Sequence, residues 1–203
     1  MAHPLFTIGH SNHESDELVG LLKKHGVDAI ADVRSHPYSR FHAQFNRETL
    51  AQWLQQSGIE YAFLGRELGA RRSERQSYQG HQASYSLIKQ LPAFREGLER
   101  VRLGLASHRV ALLCAEKDPL TCHRAILVCR ELRCEPIDIR HILEDGLLET
   151  TAQLETRLLD EVGLPQAHLF MDRAELLEQA YDLQAERIAF TETEAVTTES
   201  ERT

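Results

Sequence analysis

The chain has 203 residues, 42% hydrophobic and 27% charged, a globular composition with enough apolar residues for one sizeable core. No stretch approaches the roughly 20 apolar residues needed to cross a bilayer, and MAHPLFTIGHSN carries neither a basic region nor an apolar signal core, so membrane insertion and export are not expected. The net charge of −8 is uneven: residues from Thr151 onward include 12 acidic and 4 basic side chains, whereas the first 150 hold 19 of each sign.

LFTIGHSN reads as a short buried strand ending in Gly-His-Ser-Asn. A helix then starts at Ser15, with Leu18, Leu21 and Leu22 on one face, and stops at Gly26. DAIADVR is the next strand, a nearly continuous apolar run of the kind a sheet covered on both faces requires. Arg47 to Ser57 is predicted helical (Leu50, Trp53, Leu54), and IEYAFL is a third strand. Residues 65–85 read as a long glycine- and arginine-rich loop, a length more often functional than decorative. Phe94 to Leu105 is helix, RVALLCA strand, HRAILVCRELR helix and PIDIRHIL the last strand.

Alternating strands and helices predict an α/β fold: a three-layer domain over residues 1–148 with a mostly parallel sheet flanked by helices. A C-terminal helical extension over 149–190 follows, with helices at Thr151 to Val162 and Asp172 to Ala189, the second opened by an Asp172–Glu175 capping box. Residues 191–203 are polar and acidic and are expected to be disordered.

The four cysteines, Cys114, Cys122, Cys129 and Cys134, crowd into 21 positions. They make a poor disulfide framework and suit reduced thiols in a cytoplasmic protein. Cys129 lies on the apolar face of its helix and reads as core, and Cys114, after a buried strand, as packing.

Ligands of open parallel sheets bind beyond the carboxyl ends of the strands, and three motifs lie there: Gly9-His10-Ser11-Asn12, Asp32-Val33-Arg34, and Cys114-Ala115-Glu116 leading to Cys122-His123-Arg124. At a helix start, free amide protons and the dipole favour an anion. Cys122 beside His123 and Arg124 is therefore a candidate nucleophile, or else a small buried side chain. His10, Glu116, His123 and Asp32 are candidates for acid–base or orienting work; for Asp32 the alternative is an ion pair to Arg34. Between Arg34 and Arg75 stand seven arginines against four glutamates and no lysine, a bias toward bidentate anion recognition. Arg34, Arg40 and Arg124 are the candidates to hold phosphate, with Tyr38 and Tyr78 as aromatic faces for a base and Ser11 and Asn12 as further polar contacts. Zinc on Cys114, Cys122, His123 and His10 is a minority alternative, because no CxxC or HxxxH spacing is present. The motifs name no cofactor.

With TIGHSN, DVRSHPYSRF, GIEYAFLGRELGARR, LLCAEKDPLTCHR and LFMDRAELLEQAYDLQAERIAF in view, the sequence resembles the bacterial family called domain of unknown function 488. The resemblance implies a three-layer α/β domain and supplies no activity. The motif positions of that resemblance are His10, Asn12, Asp32, Arg34, Arg40, Glu116, Cys122, His123 and Arg124. The expected function is an enzyme acting on a nucleotide or a nucleic-acid-related anion. A binding module for such a ligand, without turnover, is the alternative.

Overall fold

The computed structural model describes residues 3–192. Five parallel strands form most of the central sheet: β1 (Leu5–Gly9), β2 (Ala29–Asp32), β3 (Glu60–Phe63), β6 (Val110–Cys114) and β7 (Ile139–Ile142). An antiparallel strand that the sequence reading missed, β8 (Leu148–Thr150), closes one edge, giving the order β3-β2-β6-β1-β7-β8. PIDIRHIL is thus followed by one more strand. Three residues after a turn are too few for periodicity to register.

The apolar runs explain the layering. LFTIG and VALLC are buried along their whole length, so both faces of the sheet must be covered. On one face, α1 (Ser15–Lys24) and α2 (Arg47–Gln56) bring Leu18, Leu22, Leu50 and Leu54 against Ile8, Ile30 and Leu113. On the other, α5 (Pro92–Leu105), the helix after Cys122, α7 (Thr151–Val162) and α8 (Arg173–Ile188) pack over Leu5, Val33 and Leu112. Leu176, Ala180 and Tyr181 of α8 belong to that same core, so the C-terminal helices are continuous with the α/β domain. The Asp172–Glu175 capping box is present: Glu175 N–H donates to Asp172 Oδ1 at 2.8 Å, and Asp172 N–H to Glu175 Oε2 at 2.9 Å.

Two expectations change. Residues 65–85 are not one long loop; they hold α3 (Gly65–Leu68) and the small antiparallel pair β4 (Tyr78–Gln79) and β5 (Gln82–Ala83), with α4 (Tyr85–Ile88) next. Nor does irregular chain begin at 191, since Thr191 bridges to Gln82 and Glu192 N–H donates to His81 O at 2.8 Å. The rest of the tail expected to be disordered lies outside the described residues.

The helix after Cys122 is also unusual. Arg124–Cys129 is π-helical and passes into a short α-turn, α6 (Arg130–Leu132), with all six π residues buried. Such wide turns are rare and concentrate at functional sites.

Candidate active site

β2, β6 and β1 are neighbours and parallel, so their carboxyl ends lie side by side. The chain leaves β1 toward β2 and β3, then crosses back so that β7 lies on the other side of β1. This reversal opens a crevice at the strand ends, the usual ligand position of such sheets. Gly9 lets the Glu116 loop settle there. A Cβ on Gly9 would lie 1.9 Å from Glu116 O, so Gly9→Ala should push the loop away and cost about 1–3 kcal/mol, read as a lower urea midpoint. A variant as stable as the parent would show that the loop yields freely.

Four side chains converge at the end of β6. Glu116 is exposed along its length, yet its carboxylate turns inward and Oε2 lies 3.0 Å from the sulfurs of both Cys114 and Cys122. His123 Nδ1 is 3.6 Å from Cys114 Sγ, and Nε2–H donates to Val33 O at 2.9 Å. The backbone is extended at Cys122 (φ −130°, ψ 136°) and helical at His123 (φ −61°, ψ −22°), which turns two consecutive side chains into one point. Cys122 O accepts from Ala125 and Ile126 N–H, both at 3.1 Å, and its sulfur accepts from Arg124 N–H at 3.4 Å, where an N-capping side chain would sit.

Arg124 is wholly buried beneath this cluster. Nη1 donates to Glu116 O at 2.6 Å, Nη2 to Lys117 O at 3.0 Å and Nε to Thr7 Oγ1 at 3.4 Å. The guanidinium therefore braces the Glu116 loop from below and does not face the crevice. Burial alone would raise the Cys122 thiol. The hydrogen bond from Cys114 and the Arg124 and His123 charges outweigh it and leave Cys122 well below the ordinary thiol range. Burial and the neighbouring Cys122 push Cys114 well above that range and raise Glu116 too.

Asp32 and Arg34 form a buried bidentate pair, Nε–Oδ1 2.9 Å and Nη2–Oδ2 2.6 Å, and the Tyr61 hydroxyl adds a 2.7 Å bond to Asp32 Oδ2. The carboxylate is thereby committed to holding Arg34, whose Nη1 carries no protein hydrogen bond in this network. His10 stacks on Phe45 with ring centroids 4.4 Å apart. Burial, then Arg34, lowers its pKa to about 4, so the ring is neutral at physiological pH. Nδ1 pairs with Ser11 O at 2.9 Å and leaves Nε2 as the free position. Ser11 takes a left-handed φ of 46°, unique among the described non-glycine residues, which turns the chain sharply after β1.

Together these ends border a cleft of about 560 Å³ that takes in His10, Arg34, Tyr38, Cys114, Glu116 and His123. Of the other expected residues, Cys122 sits behind Glu116 and only 1% of it is exposed. Ser11 and Asn12 bond each other outside the cleft, Arg40 is exposed away from it, and Tyr78 lines an adjoining cavity. His10 stands apart from the Cys–Glu–His group, and Glu116 takes the place given to it in the zinc alternative. The sequence reading passed over Arg71, Tyr85, His42 and Phe190, all in the cleft wall. Arg71 belongs to the arginine-rich run; Phe190 arrives from the end of α8 and carries no local signal.

A family model described as Domain of unknown function DUF488 matches residues 14–130. That range takes in Asp32, Arg34 and the whole Cys–Glu–His group, while the His10 motif lies before it. No curated protein and no solved structure matches the chain.

Proposed function

We propose that this chain, which belongs to the DUF488 family, is an enzyme whose cleft binds a phosphate-bearing anion of the nucleotide or nucleic-acid class. The Cys114, Glu116, Cys122 and His123 group at the cleft end of β6 supplies the reactive side chains.

One observation carries this reading: the sign of the cleft. In a chain of net charge −8, the cleft wall brings in the guanidiniums of Arg34 and Arg71, and the sole carboxylate among the described lining residues, Glu116, is turned into the thiol cluster. Cationic walls concentrate anions. Arg34, fixed by Asp32, offers a preset guanidinium edge, and Tyr38 and Phe190 supply faces for a ring. Neutral His10 presents a lone pair able to accept a hydrogen bond from a substrate hydroxyl or water.

Nucleoside monophosphates and pyrophosphate, titrated calorimetrically, test the reading. Arg71→Ala removes an exposed cation, and Arg34→Lys keeps the charge against Asp32 while losing the planar edge. Each should weaken binding by about 1.5–3 kcal/mol, or about 10- to 150-fold, without lowering thermal stability by a comparable amount. Equal affinity in both variants, or no binding by the parent, would refute it. Binding with no turnover of any phosphate ester would leave a recognition module.

A further inference from the structure

The thiol cluster has the composition and spacing of a metal centre. We propose that Cys114, Cys122, His123 and Glu116 bind one divalent ion of the zinc class, with the two sulfurs and the imidazole as fixed ligands and Glu116 at the corner facing the cleft. This rests on the cleft being the working site, and it turns the reactive group there from a free thiol into a Lewis acid.

Geometry comes first. One donor atom from each of the four residues lies within 4.8 Å of all the others. Zinc–sulfur and zinc–nitrogen bonds of about 2.3 and 2.0 Å set tetrahedral edges of roughly 3.3–3.8 Å. The 3.6 Å separation of Cys114 Sγ and His123 Nδ1 is such an edge, and the 3.0 Å approaches of Glu116 to the sulfurs lie slightly inside it. Second, the imidazole is already oriented as a ligand. Its Nε2–H is held by the Val33 carbonyl at 2.9 Å, which aims Nδ1 at the sulfurs, and a metal-bound histidine needs that outer partner.

Charge supplies a third argument. Two thiols and a carboxyl share one point, and losing their protons would place three like charges together. The donors of the buried Arg124 end on two carbonyls and a hydroxyl, and it hydrogen-bonds no carboxylate among the described residues. Two thiolates, one carboxylate, Arg124 and a divalent ion sum to zero, so the ion would let all three acidic groups lose their protons without leaving net charge in the interior. Thiolates with imidazole favour zinc over magnesium or calcium. Finally, Cys122 lies behind Glu116, where a ligand can sit but a substrate cannot reach. Glu116, the exposed member, is the one able to yield its position to water or a substrate oxygen, as catalytic zinc sites require.

The test is made on the full chain, purified without a metal-affinity step. Elemental analysis should find about one zinc per chain. After chelation, added cobalt(II) should give the thiolate-to-metal charge-transfer and visible bands of a tetrahedral sulfur site. Glu116→Gln should keep the charge-transfer band with metal affinity lowered at least about tenfold. The Cys114→Ser, Cys122→Ser double variant should lose the band, and Cys134→Ser should match the parent. A parent that takes up no cobalt, that carries a Cys114–Cys122 disulfide when purified, or that loses its metal to neither the Glu116 nor the cysteine changes would overturn the site. The nucleotide affinities of the Arg71 and Arg34 variants depend on the cleft wall, so either reading can fail alone.

Discussion

Arg124→Ala should destabilise the protein by about 3–5 kcal/mol, the scale of breaking a buried charged network by removing one partner. The guanidinium is fully buried and holds Glu116 O and Lys117 O, and through Thr7 it ties the loop after β6 to β1. Truncation strands two carbonyls away from water, opens a cavity, and leaves the Cys122–Glu116 group without its buried cation. Arg124→Met separates these effects by filling the volume without restoring a donor or the charge. Urea denaturation of both variants is the measurement. Methionine should recover the packing part of the loss and no more. If either variant cost less than about 1 kcal/mol, the scale of an ordinary hydrogen bond, the bracing role would be wrong.

Acid should act on the same region through His141. This side chain is fully buried on β7; Thr7 Oγ1 lies 2.8 Å from its Nδ1, and Nε2 has no hydrogen-bond partner among the described residues. Burial, then the charges of Arg124 and Arg157, depress its pKa from 6.5 to about 3, against a smaller opposing effect of Asp118. Because the folded value lies below the unfolded one, the unfolded chain takes up the proton first. The contribution is intact above about pH 6.5 and is lost as pH falls toward 3. At about 1.36 kcal/mol per pH unit, stability should drop by about 3 kcal/mol between pH 6.5 and 4 from this residue alone. His141→Asn keeps a polar atom opposite Thr7 and cannot titrate. Its stability should fall less steeply over that interval. Parallel curves for variant and parent would show that His141 charges freely in the fold.

Both predictions turn on side chains whose role could not be read from their neighbours in the chain. Arg124, beside Cys122 and His123, reads as a phosphate ligand; it is instead a buried brace. Asp32 as the partner of Arg34 was one of two readings, suggested by an acid and an arginine standing together at a strand end. Cys114 reads as packing because it ends an apolar strand, yet its sulfur meets Glu116 two residues on and Cys122 eight residues on. The arginine-rich run reads as a bias toward anion recognition, but only Arg34 and Arg71 of its members reach the cleft.

What the sequence determined by itself is the layered α/β domain. Nearly continuous apolar strands such as LFTIG and VALLC demand cover on both faces, 3.6-residue periodicity supplies the covering helices, and Asp172 with Glu175 sets the start of α8. These are local properties, carried by residues within a turn or a strand of one another. The tertiary structure alone decided the site. Whether a polar side chain at a strand end points to solvent, to a cleft or into the core depends on partners far along the chain. Val33 O fixes His123 across 90 residues, and Thr7 meets Arg124 across 117. The short β8 and the π-helical turn belong with the site in this respect, since each exists because packing outweighed a weak local preference.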